Sequence, residues 1–119
     1  MSFKVIIAGG REFNDYDYLK RRCSVILRHK KDIIVVSGQA KGADTLGERL
    51  AYELGYSVKV FPADWDTHGR SAGYIRNSQM ADYADALIAF WDGKSKGTGH
   101  MIDLAKSKGL QVRVVYYET

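Results

Sequence analysis

The chain has 119 residues, 45% of them hydrophobic and 27% charged, with a formal net charge of +4. That is the size and composition of one domain, residues 1–119, with its own core, and the mild basicity permits phosphate contacts without demanding nucleic acid. A lone cysteine, Cys23, excludes an internal disulfide framework and fits a reducing cytoplasm, and no apolar run reaches the roughly 18 residues that span a bilayer. Met1-Ser2-Phe3-Lys4 runs directly into a strand-like segment without the apolar core and cleavage site of a signal peptide, so a cytoplasmic location is expected.

In chain order, Phe3 to Ala8 (FKVIIA) predicts a strand ended by Gly9-Gly10. Asp15 to about Lys30 predicts a helix with Leu19, Cys23, Ile26 and Leu27 on one face. Its basic residues Lys20, Arg21, Arg22, Arg28, Lys30 and Lys31 read as a solvated face. Asp32 to Ser37 is a second, buried strand. Ala43 to Leu54 is a helix with Leu46, Leu50, Ala51 and Leu54 inward and Gly55 as its cap. Tyr56 to Phe61 is a third strand, and the only proline, Pro62, opens an irregular stretch. Ser71 to about Tyr83 is a helix with Ala72, Ile75, Gln79 and Met80 on one stripe. Ala86 to Trp91 is a fourth strand, Thr98 to Lys108 a fourth helix capped at Gly109, and Gln111 to Tyr116 the last strand.

Apolar strands alternating with helices predict a parallel sheet with helices on both faces. The expected architecture is Rossmann-like, five strands in the order 3-2-1-4-5 with right-handed crossovers. Ligands of such sheets sit beyond the C-terminal strand ends where the order reverses, here between strands one and four. Four segments reach that edge.

The segment from Ser37 through Gly38, Gln39, Ala40, Lys41, Gly42 and Ala43 to Asp44 is a strand, a glycine-bearing turn and a helix start, a common way to build an anion site. Asp44 there has two readings, capping the helix or holding a ribose hydroxyl. The segment is neither a Walker motif nor GxGxxG. In Gly9-Gly10-Arg11 the glycines allow close approach and the arginine offers a fork of donors, or else lies in solvent. The Pro62 to Arg70 loop carries Asp64, Trp65, Asp66 and His68 ahead of Arg76 and Asn77. Trp65 there is either a stacking surface for a base or a lid on the core. Trp91-Asp92 through Gly97-Thr98 repeats the strand, turn and helix pattern, as a second phosphate cradle or as plain capping by Ser95 and Thr98.

Other chemistry finds no support. His29, His68, His100 and Cys23 lack metal-ligand spacing, so no metal is expected. No Gly-x-Ser-x-Gly elbow is present. Cys23 lies on an apolar stripe and reads as core.

Together, Ala8 to Phe13, Val36 to Asp44, Phe61 to Trp65, Ala72-Gly73 with Arg76-Asn77 and Met80, and Phe90 to Gly93 with Gly97-Thr98 resemble the SLOG superfamily, in its YspA/YpsA-related branch. The resemblance covers the whole chain. It implies a Rossmann-like fold and a nucleotide or nucleotide-derived ligand, with no other cofactor required. It also implies a homo-oligomer, for which Tyr52, Tyr56, Tyr74, Tyr116 and Tyr117 are the rings expected at an interface. Stand-alone members occur in bacteria and phages, and a phage member would work in the host cytoplasm.

Two relatives bear on activity. The LOG phosphoribohydrolases carry an arginine in Arg-Lys-x-x-Met and a glutamate in Pro-Gly-Gly-x-Gly-Thr-x-x-Glu. Arg76-Asn77-Ser78-Gln79-Met80 is similar to the first. In the second, Gly97-Thr98 survives, but the glutamate position falls on Met101, which cannot act as acid or base. LOG chemistry would need Arg76 together with Asp64, Asp66 or Asp92 in the carboxylate's place. The DNA-processing protein DprA has a loop similar to Ser37 to Asp44, and it binds single-stranded DNA. The resemblance therefore leaves three readings: a nucleotide sensor or sequestering protein, a nucleoside-monophosphate N-glycosidase, and, with less support from charge, a DNA-binding module.

Overall fold

The computed structural model describes residues 1–118. Its elements are β1 (Phe3–Gly9), α1 (Tyr16–Ile26), β2 (Ile33–Ser37), α2 (Ala43–Leu54), β3 (Ser57–Val60), α3 (Trp65–His68), a 3-10 turn (Gly69–Ser71), α4 (Ala72–Tyr83), β4 (Ala86–Trp91), α5 (Lys96–Ser107) and β5 (Gln111–Tyr116). The five strands are all parallel, in the order β3-β2-β1-β4-β5. β1 pairs β2 from Phe3 opposite Ile33 and β4 from Val5 opposite Ala86.

Alternation along the strands divides the core in two. Val5, Ile7, Val35, Ile88 and Phe90 point to the face covered by α1 and α2, where Leu19, Cys23, Leu50 and Ala51 meet them. Ile6, Ala8, Val36, Leu87 and Ala89 point to the other face, covered by Met80 and Ala81 of α4 and Met101, Ile102 and Ala105 of α5. Both faces are covered, which is why the inner strands are apolar throughout.

Several boundaries and faces differ from the sequence reading. α1 ends at Ile26: the Leu27 N–H still reaches the Cys23 carbonyl (2.8 Å), but the Arg28 N–H tightens to the Val25 carbonyl (3.5 Å), which also accepts from the Arg28 guanidinium (3.2 Å). The stretch after Pro62 is helical: the Asp64 carboxylate accepts the Thr67 N–H (3.2 Å) and starts α3. α5 begins two residues early, which puts Gly97 and Thr98 inside its first turn. In α2, Leu54 is exposed; it lies in the last turn beside β3, a four-residue edge strand that is itself mostly exposed. Gly47 faces inward instead, so close to β1 that a Cβ would stand 2.8 Å from Ile7 Cγ2. In α4, Gln79 is exposed and Asn77 is buried, drawn in by polar partners on two helices. Tyr56 and Tyr117 pack against the core, whereas Tyr52, Tyr74 and Tyr116 are exposed. Among the described residues no helix is long and apolar enough to cross a membrane.

Candidate functional site

The C-terminal ends of β1 and β4 open into a crevice of about 460 Å³. Ala8 and Gly9 of β1 form part of its wall, and Arg11 and Glu12 follow on the loop. The β2–α2 loop contributes Ala40 and Asp44. From the other side come Trp65 of α3, Arg70 of the 3-10 turn, and Gly73, Tyr74, Arg76, Asn77 and Met80 of α4. Asp92 and Ser95 of the β4–α5 loop, with Gly97, Thr98 and Met101 of α5, complete it. Tyr117, one residue past β5, closes the end.

The β2–α2 loop is held by its own bonds. Ser37, fully buried at the end of β2, donates to Glu48 (2.7 Å) and accepts the Gln39 N–H (3.1 Å). Gln39 has φ 60°, a left-handed conformation that costs a non-glycine residue of order 1 kcal/mol. The Ala40 N–H points to Asp44 Oδ2 (3.3 Å), and the Ala43 N–H to the Gly10 carbonyl (3.2 Å). Gly42 sits at φ 81°, where a Cβ would lie 2.2 Å from the Gly10 oxygen, so the first two loops are locked together through glycine backbone. Gly10 itself is overlaid by the Tyr117 hydroxyl.

Asp44 is 4% exposed, and burial pushes its carboxyl up to about 6 against the opposing pull of the Ala40 N–H and Arg76. Arg76 lies across the loop: its Nη1 donates to the Gly38 carbonyl, and a Cβ on Gly38 would collide with the guanidinium. Its Nε donates to Asn77 Oδ1 (3.1 Å), whose amide nitrogen meets His100 Nδ1 (3.2 Å). Burial pulls the Arg76 guanidinium below its usual pKa, and it remains a cation because that value starts far above neutrality.

The second glycine-bearing turn is organised differently. Asp92 Oδ1 accepts the Lys94 and Ser95 N–H groups (2.9 Å each), and these bonds hold its carboxyl below the ordinary value. Ser95 is the N-cap residue of α5, but its side chain makes no capping bond to the helix; its hydroxyl meets that of buried Thr98 (3.5 Å). The first turn of α5 carries no acid. Partial positive charge at this terminus faces the crevice together with Arg11 and Arg70.

Of the residues singled out from sequence, Gly9, Arg11, Ala40, Asp44, Trp65, Arg76, Asn77, Asp92, Gly97 and Thr98 meet in this crevice. Gly38 and Gln39 line a smaller adjoining hollow of about 380 Å³ with Arg11, Trp65 and Arg76. Ser37, Gly10, Gly42 and Ala43 shape the loops from behind. Asp64 lies outside the crevice, capping α3. Trp91 also faces elsewhere: its Nε1 donates to the Ser95 carbonyl (3.0 Å) and its ring covers Gly99. Glu12, Arg70, Tyr74, Ser95 and Tyr117 line the crevice without having been read as site residues. Glu12 directly follows Gly10-Arg11, and Arg70 precedes the helix that carries Arg76, so neighbourhood was the available signal. Among the described residues no group of three or more His, Cys, Asp or Glu side chains is placed to hold a metal.

A doubly covered parallel sheet with a polar crevice at its switch point defines a Rossmann-like protein. Residues 3–68 match the YspA, cpYpsA-related SLOG family (YAcAr), and the chain belongs to that family. The Gene 61 protein of Mycobacterium phage D29 is 34% identical over 119 residues, covering 92% of this chain and 93% of that protein. No solved structure matches the chain significantly.

Proposed function

We propose that the protein binds a nucleotide or nucleotide-derived small molecule in this crevice, as a sensor or sequestering protein. What carries the reading is convergence: three arginines, an acid-free helix N-terminus with a buried threonine, and two half-exposed rings surround one 460 Å³ space. The phosphate is assigned to the α5 entrance, with Thr98, Ser95 and the Gly97 backbone, and to Arg11 and Arg70. The β2–α2 loop is assigned the sugar, because Asp44 already places a carboxylate at that helix start and can accept from a ribose hydroxyl. Trp65 and Tyr74, 52% and 49% exposed at the rim, are the stacking surfaces for the base. Arg76, fixed by Gly38 and Asn77, supplies charge from the floor. The work is set in the cytoplasm, the host's where a phage carries the gene, which keeps the buried Cys23 thiol reduced.

Binding without turnover is favoured because Met101 is 1% exposed and apolar at the position of the LOG glutamate, while Asp92 is tied into its own turn. A nucleoside-monophosphate N-glycosidase is the second reading, and one observation favours it: Asp44 is a buried crevice carboxyl with a pKa near working pH. Thermal shift against nucleoside mono- and diphosphates, with chromatography of the recovered ligand, separates the two. A ligand at 100 times its dissociation constant adds about 2.7 kcal/mol and returns intact from a binding protein. Recovery as free base and ribose phosphate establishes the glycosidase. Thr98→Val lowers affinity about tenfold at unchanged fold stability, the loss of one hydrogen bond to a charged group. The proposal falls if no nucleotide shifts the melting curve.

A further inference from the structure

Next to the crevice, between α5 and the C-terminal ends of β4 and the edge strand β5, runs a second groove of about 750 Å³. Ser95 and Tyr74 line both hollows and form the wall they share. On α5, Lys96, Gly99, His100, Asp103 and Lys106 follow one another at helical spacing along the groove. Lys96 and Lys106 are ten residues apart, about 15 Å along the helix axis. Lys94 adds a third cation from the loop, against one groove-lining carboxylate, Asp103.

The groove also has an aromatic floor. Trp91 and Tyr116 lie 5.9 Å apart between ring centroids at 33°, and Tyr116 is 62% exposed. The Trp91 ring is fixed by its bond to the Ser95 carbonyl and by Gly99, where a Cβ would stand only 3.3 Å from it. A pinned ring beside an exposed one, bordered by cations, is a surface for a stacked base and its phosphate.

We infer that this groove is a second subsite for the same ligand, and that the ligand is therefore a dinucleotide: two nucleoside units joined through phosphate. The inference rests on the crevice reading above. One nucleotide occupies the crevice with its phosphate at Ser95 and Thr98. The joining phosphate crosses the Ser95–Lys96 wall, and the second base lies on Trp91 and Tyr116 between Lys94 and Lys106.

Calorimetry on the full chain tests this with 5′-phosphorylated mononucleotides and linear dinucleotides of each of the four bases. The expected result is at least tenfold tighter binding of one dinucleotide than of its mononucleotide. Lys94→Ala combined with Lys106→Ala removes that gain and leaves mononucleotide affinity within twofold. Tyr116→Ala does the same, and melting temperatures confirm that these exposed-site variants fold. Equal affinity for both lengths in the unaltered chain overturns the second subsite and leaves the crevice reading standing. A lysine pair that weakens the mononucleotide equally also overturns it, because the cations then act as a general field. Binding of longer single strands with no dinucleotide preference assigns the groove to nucleic acid instead. If neither probe binds, the crevice reading fails and this inference fails with it.

Discussion

α2 and α5 begin in the same way in sequence, as a buried strand, a glycine-bearing turn and a helix start, yet their entrances are opposites. At α2 the first turn carries Asp44, the Ala40 N–H is directed to its carboxylate, and the Ala43 N–H goes to the Gly10 carbonyl. That entrance holds its own anion and is welded to the neighbouring loop. At α5 the Asp92 carboxylate is spent on the Lys94 and Ser95 N–H groups of the preceding turn, while the first helical turn carries Lys96 and no acid, Ser95 does not cap it, and Thr98 and Gly97 face the crevice. A lysine at a helix N-terminus opposes the macrodipole, and an incoming anion corrects that. The lesson is that a strand–glycine–helix pattern marks an anion site only after the first turn has been checked for an acid that already fills it.

The sharpest way to break the comparison is Gly42→Ala. The residue has φ 81° and ψ −126°, and the added methyl meets the Gly10 and Arg11 carbonyl oxygens at 2.2 and 2.6 Å. A loss of about 3 kcal/mol or more is expected, read as a lowered urea midpoint at constant m. A midpoint close to that of the unaltered chain would mean the α2 entrance is not welded to its neighbour.

The next largest effect belongs to Asp44. Its folded pKa, about 6, stands above the unfolded value of 3.8, so the native state binds the extra proton between those limits. Its ionised form is therefore a burden that is absent below about pH 4 and fully present above about pH 6. Asp44→Asn removes the burden while its oxygen can still accept the Ala40 N–H. The variant should be more stable than the unaltered chain by up to about 3 kcal/mol at pH 8, with the advantage shrinking to nothing near pH 4. Melting curves at several pH values check this. A variant less stable at pH 8 would show that the carboxylate supports the loop through Arg76 more than burial penalises it.

How far sequence reaches is clear from particular elements. The ends of β4 follow from an apolar run of six residues bounded by turns, because a doubly covered strand leaves little else to read, and the strand order follows from the alternation of strands and helices. The end of α1 was not legible: it is closed by the N–H and the side chain of Arg28, both on the Val25 carbonyl, rather than by glycine or proline. The helical turn at Trp65 had a local signal, Asp64 three residues before Thr67, that Pro62 and the polar composition outweighed. Asn77 could not have been ranked above Gln79 from α4 alone, since its burial depends on Arg76 and on His100 of another helix. Among the candidate site residues, those on the loops after β1, β2 and β4 were legible because the sheet rule puts every C-terminal end at one edge, but the rule does not say which way a strand-end side chain turns, and Trp91 turns to the other side of the α5 entrance. Tyr117 was not legible, because only the parallel register carries the end of β5 back over Gly10.

The smallest expected effect on stability is the most telling counterpart to Gly42. At Gly97 a Cβ has no heavy atom within 4 Å, and the residue lies in the first turn of α5 on the crevice wall. Gly97→Ala should change the unfolding free energy by less than about 0.5 kcal/mol, with helix propensity favouring the alanine. Gly97 also lines the space assigned to the phosphate, so the added methyl should lower nucleotide affinity several-fold. Glycine at the α2 entrance is then required by the fold, and glycine at the α5 entrance by the ligand. A Gly97→Ala variant that loses stability as Gly42→Ala does would make both entrances structural, and the phosphate would have to be sought at the arginines alone.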